Sequence, residues 1–201
     1  MSDILTQLKE RTAPQHRRAE QNKYTSAMLD HTISLEQYRE YLALFYGYIL
    51  PLERVFEARP EWEDLRFDIS ARTKHRLLEA DLHALGLDAR AVDNLPHCQS
   101  LPDVSSFPRI LGCMYVLEGS TLGGQMLTKL LMKDLPVSPD TNARYFNSYG
   151  ADVRERWAEF RELLTAQART GEDEREMLAS AGQTFDRLRD WIEAPNGTVS
   201  R

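Results

Sequence analysis

The chain has 201 residues, of which 42% are hydrophobic and 28% charged, and a net charge of −6; it is long enough to bury one substantial core, and its acidic balance argues against general nucleic-acid binding. Two cysteines, Cys98 and Cys113, give neither a disulfide framework nor zinc-ligand spacing, which points to a reducing compartment. The first residues lack the apolar run of a signal peptide and no apolar stretch reaches membrane-spanning length, so a cytoplasmic protein with no membrane or nucleic-acid partner is expected.

Residues 1–4 and 194–201 read as frayed tails. Between them, residues 5–27 read as helix, because Ile4, Leu5, Leu8, Thr12, His16 and Ala19 recur at three- and four-residue steps. Pro14 either kinks a helix begun near Ser2 or Asp3, or lies in the first turn of a fresh helix capped by Thr12, with Gln15 at the capping-box position. Both readings set His16 on a helix. Ser34 reads as the N-cap of the next helix, whose apolar stripe runs from Leu35 through Tyr38, Tyr41, Leu42, Phe45 and Ile49 to Phe56. Gly47 and Pro51 predict a bend in it. Residues 60–68 read as a polar loop holding Trp62, 69–85 as a helix ended by Gly86, and 87–108 as a proline-bearing loop.

A long helix is expected at 107–133, stopped by Pro136 and Pro139. Residues 141–149 read as a connecting segment, 151–168 as a charged amphipathic helix around Val153, Trp157, Phe160 and Leu164, and 172–192 as the last helix. No stretch alternates with period two. The expected fold class is therefore all-α: a single domain over residues 1–201 built from seven or eight helices.

The long helix carries Gly119, Gly123 and Gly124 at its middle. Each costs roughly 1 kcal/mol relative to alanine, so the backbone there has a reason to come close to something. Helix packing through small residues is one reason; a side-chain-free surface for a planar ligand is another. A phosphate loop does not fit, since Gln125 and Met126 stand where Lys and Ser or Thr would follow, and no strand precedes.

His16 has Glu20 one turn on, and a carboxylate accepting from an imidazole N–H fixes a metal-ligating histidine. Lys9, two turns earlier on the same face, could meet an anionic group. The plain alternative is a surface or satisfied core histidine. His31, His75, His83 and His97 lack such company; His75 and His83 read as solvated-face residues, and His97, beside Cys98, as a lesser metal candidate. No HExxH and no pair of ExxH motifs occurs, which argues against zincins and ferritin-type di-iron sites. Tyr38, Tyr41, Phe45, Tyr46 and Tyr48 read as core. Tyr145 and Phe146, in a connecting segment, read as the wall of a pocket, and Arg154 and Arg161 as a charged helical face.

Two motifs together resemble the heme oxygenase family. LKERTAPQHRRAE, residues 8–20, is similar to that family's proximal helix, with Lys, then Thr, then the iron-ligating His, then Ala-Glu. YVLEGSTLGGQ, residues 115–125, is similar to its distal helix, above all in the bacterial, phytochrome-associated branch. The segment ARYF and the helix up to Phe185 follow the family more loosely, so the resemblance spans about residues 5–192. It implies a heme-oxygenase-like bundle with heme sandwiched between a proximal and a distal helix. It also implies an oxidoreductase for which heme is both cofactor and substrate. With dioxygen and electrons from a reductase, a ferredoxin or flavoprotein partner, heme becomes biliverdin, carbon monoxide and ferrous iron. A bacteriophytochrome is the recipient that this branch suggests.

Residue by residue, the resemblance makes His16 the metal ligand and Glu20 its partner. Lys9, Thr12, Tyr115 and Arg161 become further cofactor-binding residues, with Lys9 and Arg161 on the propionates. Gly119, Ser120, Gly123 and Gly124 become the catalytic distal wall. Ser120 departs from the Asp that many members carry after the first distal glycine; a hydroxyl orients water but holds no charge. Thr121 or additional water would then share proton delivery. Met114 stands where other members can have a propionate-contacting tyrosine, and Tyr115 is next to it. Ser120 keeps open a heme-binding carrier or sensor without turnover, and a helical interaction module without heme is the third reading.

Overall fold

In a computed structural model, residues 3–194 are described; of the expected tails at 1–4 and 194–201, residues 1–2 and 195–201 lie outside the described residues, whereas Asp3 caps the first helix and Ile4 is buried in it. Among the described residues there are nine α-helices and two short 3-10 turns, with no strand. The helices are α1 (Ile4–Glu20), α2 (Lys23–Leu29), α3 (Leu35–Glu57), α4 (Glu61–Leu65), α5 (His75–Ala84), α6 (Ala89–Asp93), α7 (Phe107–Asp134), α8 (Val153–Gln167) and α9 (Gly171–Glu193). None is long and apolar enough to cross a membrane.

α1 is one helix, capped by Asp3, whose side chain accepts from the Thr6 amide, and it runs straight through Pro14. The fresh-helix alternative fails for a local reason: Thr12 is buried inside α1 and donates its hydroxyl to the Leu8 carbonyl at 2.7 Å. The proline's missing N–H is tolerated because Ile4, Leu8 and Thr12 bury one face of the helix. The expected helix over 5–27 is in fact two. It stops at Glu20, and Asn22 caps α2 by accepting from the Tyr24 and Thr25 amides.

Ser34 forms a complete capping box with Gln37 at the start of α3. That helix continues through Gly47 and Pro51 without a break. Gly47 is there for a close approach: a Cβ would fall 2.3 Å from the Pro96 carbonyl oxygen, and the Cys98 amide donates to the Gly47 carbonyl at 2.9 Å. The expected loop at 60–68 contains α4, with Trp62 buried and donating to the Phe56 carbonyl at 2.6 Å. The expected helix at 69–85 begins only at His75, after a 3-10 turn at Ser70–Arg72. Its amino end is capped from another helix, since Glu53 of α3 accepts from the Lys74 amide at 2.6 Å and the His75 amide at 2.9 Å. Gly86 adopts φ +94 just beyond its end, a conformation glycine takes without strain.

α9 packs along both α7 and α1, α8 touches both, and α1 and α7 have little direct contact. The aromatic residues of α3 lie in the core as expected: Tyr38, Tyr41, Tyr46 and Tyr48 are buried. Tyr145 and Phe146 join them rather than walling a pocket, with Phe45 5.0 Å from the Tyr145 ring and Tyr41 6.0 Å from Phe146. Fully buried Asp81 of α5 holds that segment by accepting from the Arg144 amide at 3.1 Å and the Tyr145 amide at 2.9 Å.

Candidate functional site

His16 stands on α1 with 56% of its side chain exposed, and its Nε2 lies 3.2 Å from Glu20 Oε1. The i,i+4 spacing of α1 creates that contact. No partner is found for Nδ1 among the described residues. The Phe185 ring of α9 stands 5.2 Å from the imidazole, tilted by 38°. This histidine therefore has one nitrogen oriented by a carboxylate, one nitrogen available, and an aromatic neighbour on one side. Lys9 is exposed two turns earlier. Thr12 is different: it is buried and bonded to its own helix, so its expected role against a ligand is corrected to a core role.

The glycines of α7 divide. A Cβ at Gly123 would meet nothing within 4 Å. A Cβ at Gly119 would be 3.5 Å from the Trp157 ring, ordinary contact distance. At Gly124 it would fall 2.3 Å from the Phe146 carbonyl oxygen. The open-surface reading thus suits Gly123, Gly119 lies beside the Trp157 ring, and Gly124 is corrected to a packing glycine that lets the 143–149 segment against the helix. Gly119, Gly123 and Met126 share one face at helical spacing, with Leu122 beside them. Leu122 and Met126 are both exposed. Gly123 and the exposed Leu122 and Met126 side chains form an apolar strip open to solvent on this helix.

Trp157 of α8 connects the remaining residues. Its ring lies 5.6 Å from Tyr115, which is half-buried, and the Arg161 guanidinium stands 5.9 Å from its centroid. Burial pushes the Tyr115 hydroxyl up from its ordinary value. Trp157 was read from the sequence only as part of an amphipathic stripe; the signal that could have singled it out is its position one helical turn before Arg161.

The hydroxyls beside the glycines are engaged with their own helix. Ser120 donates to the Leu117 carbonyl at 2.8 Å, and Thr121, which is buried, donates to the Glu118 carbonyl at 2.6 Å. Ser120 keeps its acceptor capacity towards water; Thr121 faces the core, which corrects its expected share in proton delivery. Met114 is likewise buried.

Behind the glycines lies a buried ion cluster that the sequence reading missed. Glu118 Oε1 lies 2.6 Å from Lys74 Nζ and Glu118 Oε2 lies 2.6 Å from Arg72 Nη1. The Tyr149 hydroxyl is 2.9 and 3.1 Å from the two oxygens. Arg72 also reaches Glu159 of α8 at 2.6 Å. Burial pushes the Glu118 carboxyl up, but Lys74 and Arg72 outweigh it and hold the group below its ordinary value. Burial likewise opposes the Lys74 charge, and Glu118 and Tyr149 outweigh it, so that amine is raised. His75, expected on a solvated face, is mostly buried with Nδ1 2.6 Å from Glu53 Oε2.

The residues fit a flat iron macrocycle on three counts: an exposed imidazole oriented by a carboxylate, open space at Gly123, and exposed apolar side chains beside it. The heme oxygenase family model matches residues 2–194. Among solved structures the chain is similar to the heme oxygenase from Leptospira interrogans, with TM-score 0.77 and 18% identity over 94% of this chain and 97% of that one. It is also similar to the NO- and CO-bound heme oxygenase from Neisseria meningitidis, with TM-score 0.77 and 20% identity over 100% of both chains. A third likeness is to heme oxygenase-1 from the cyanobacterium Synechocystis in complex with heme, with TM-score 0.69 and 18% identity over 94% of this chain and 90% of that one. At these identities the likeness is one of fold. No curated protein sequence matches the chain.

Proposed function

This chain belongs to the heme oxygenase family, and from that premise we propose that it cleaves heme to biliverdin, releasing carbon monoxide and ferrous iron, with His16 as the iron ligand. The reading is of one heme-oxygenase domain spanning residues 1–201, supported by a single core cluster that runs from Ile4 to Ile192. The observation that carries the assignment is His16 itself: a solvent-exposed imidazole paired with Glu20 on one nitrogen and open on the other. Heme is the substrate, and its iron supplies the site at which dioxygen is reduced.

The chain's own residues orient and enclose it. Glu20 holds the imidazole and strengthens it as a donor. Gly123 leaves its face free of side chains, and the Trp157 ring is the neighbour at Gly119, so backbone at 123 and an aromatic ring at 119 would limit approach to the ring edge. Leu122 and Met126 supply apolar cover. Lys9 and Arg161 meet the propionates as cations, and Tyr115 stands with Trp157 beside Gly119. Ser120 accepts a hydrogen bond from water while its own proton is held on Leu117. Electrons come from a ferredoxin or flavoprotein reductase, the setting is the cytoplasm, and a bacteriophytochrome is a fitting recipient of the product.

The test is spectroscopic. Hemin added to the wild-type protein gives a Soret band of histidine-ligated heme, and reductant with dioxygen and catalase replaces it with a biliverdin spectrum. His16→Ala alters the ferric and ferrous spectra. A Soret band that survives repeated reduction in air makes the protein a heme carrier or sensor instead, the reading favoured by the engaged hydroxyls of Ser120 and Thr121. Unchanged spectra in His16→Ala refute the ligand assignment.

A further inference from the structure

The segment 145–150 does more than connect α7 to α8. It touches the glycine-bearing part of α7 at three places. Gly124 admits the Phe146 carbonyl, where a Cβ would fall 2.3 Å from its oxygen. Gln125 Nε2 donates to the Gly150 carbonyl at 2.9 Å. The Tyr149 hydroxyl reaches both oxygens of Glu118, at 2.9 and 3.1 Å, and receives Lys74 Nζ at 2.9 Å. These contacts bracket Gly119, which has the Trp157 ring as its neighbour, and Gly123, whose face is open.

Tyr149 is held there at a conformational cost. Its φ is +66, followed by Gly150 at +51. Left-handed geometry is ordinary for glycine but an outlier for a bulky side chain, and such outliers persist where surrounding contacts over-determine them. The other non-glycine residues with positive φ, His31 and Arg66, lie just after α2 and at the carboxyl end of α4. Tyr149 instead precedes a 3-10 turn, and the left-handed step directs its phenol into a cluster where Glu118, Lys74 and Arg72 are all buried.

We propose that Tyr149 is a positioning residue: through Glu118 it fixes the height and register of the Gly119–Gly123 backbone, the distal wall for heme. The inference rests on the reading of that face as the heme surface. Three glycines make this the part of α7 with the least intrinsic helical preference. An external brace at 118, 124 and 125 supplies the rigidity that the glycines remove. A wall of backbone selects a ring edge only if it does not move, so the brace sets which edge of the substrate is attacked.

Amide hydrogen exchange in the ligand-free protein, with Tyr149→Phe and Tyr149→Asn, tests the brace. Both variants lose the phenol hydroxyl; asparagine also accepts left-handed geometry, so it separates the lost contact from relieved strain. Exchange across residues 115–126 is expected to rise about tenfold in both, while amides of α3 and the α1-facing part of α9 hold their wild-type protection. In the hemin-loaded protein, affinity stays within about threefold of wild type and the proportions of biliverdin isomers shift, a readout that loss of folded protein alone does not move. Unchanged exchange at 115–126 in both variants overturns the brace, as does a rise spread evenly over the whole chain. An unaltered isomer ratio alongside faster local exchange overturns the link to the substrate. If wild type binds no hemin, the heme reading fails, and the ligand-free exchange still decides whether Tyr149 braces α7.

Discussion

The two sides of α7 obey opposite rules. On one side Glu118 is buried with a cation on each oxygen, Thr121 and Thr128 are buried with hydroxyls on helix carbonyls, and Gly124 is closed by Phe146. On the other, Gly123 faces empty space, and Leu122 and Met126 are exposed with no apolar partner to explain them. The polar groups just named on the inner side are satisfied within the chain. The outer side keeps open space at Gly123 beside two exposed apolar side chains, and on the proposed reading heme covers them. That asymmetry distinguishes a structural feature from a binding one more reliably than residue type does, since glycines occur on both sides.

The largest effect that could break this contrast is at Glu118. Replacement by alanine leaves Lys74 and Arg72 buried without their shared counter-charge, and removing one partner of a buried pair costs about 3–5 kcal/mol. Urea denaturation of Glu118→Ala should show that loss; a change under 1 kcal/mol would mean the cluster is solvated and the inner side is not closed. The cluster also predicts a pH profile. Glu118 is depressed in the folded protein, so its contribution is present above the ordinary glutamate range and lost as pH falls through its folded value. Lys74 is raised, so its contribution is present below the ordinary lysine value of 10.5 and lost as pH climbs through its folded value. Stability against urea is expected to hold between these limits, and Glu118→Gln to make the acid limb shallower.

Gly124→Ala and Gly123→Ala sharpen the comparison, because the same substitution one residue apart should change sign. At 124 the added methyl meets the Phe146 backbone, and overpacking of this kind costs about 1–3 kcal/mol. At 123 there is nothing to meet, so alanine gains helix propensity, up to about 1 kcal/mol. Thermal unfolding of the ligand-free proteins reads both. Hemin affinity is expected to fall in Gly123→Ala even as the melting temperature rises, and equal destabilisation of both variants would erase the distinction between the two faces.

The parts of this architecture that were legible in the sequence are those set by local chemistry. Ser34 before α3 and the carboxyl end near Gly86 each carry their own signal within a few residues, and the helices follow. His16 with Glu20 was legible for the same reason, being an i,i+4 pair. What could not be read is what comes from elsewhere in the chain. Glu53 caps α5 across 22 residues of sequence, and Lys74 meets Glu118 across 44. The division of the glycines was equally hidden, because only the approach of Phe146 separates Gly124 from Gly123. Thr12 was assigned to the ligand face by its place in a motif, whereas the turn of α1 directs it to the core.

The smallest expected effect bears hardest on the site. His16 is 56% exposed, and its one polar contact among the described residues is an exposed i,i+4 pair with Glu20. Such pairs contribute about 0.3–0.5 kcal/mol, and surface substitutions away from special features stay within about 0.5 kcal/mol. Replacing His16 with alanine in the ligand-free protein should therefore leave the urea midpoint almost unmoved, with alanine's better helix propensity offsetting the lost pair. A core histidine behaves otherwise: its removal opens a cavity and strands its partner. A loss of 2 kcal/mol or more would assign His16 to the fold, its contact with Phe185 becoming packing. A neutral result leaves an oriented, exposed imidazole on which the fold does not depend, as the proposed ligand role requires.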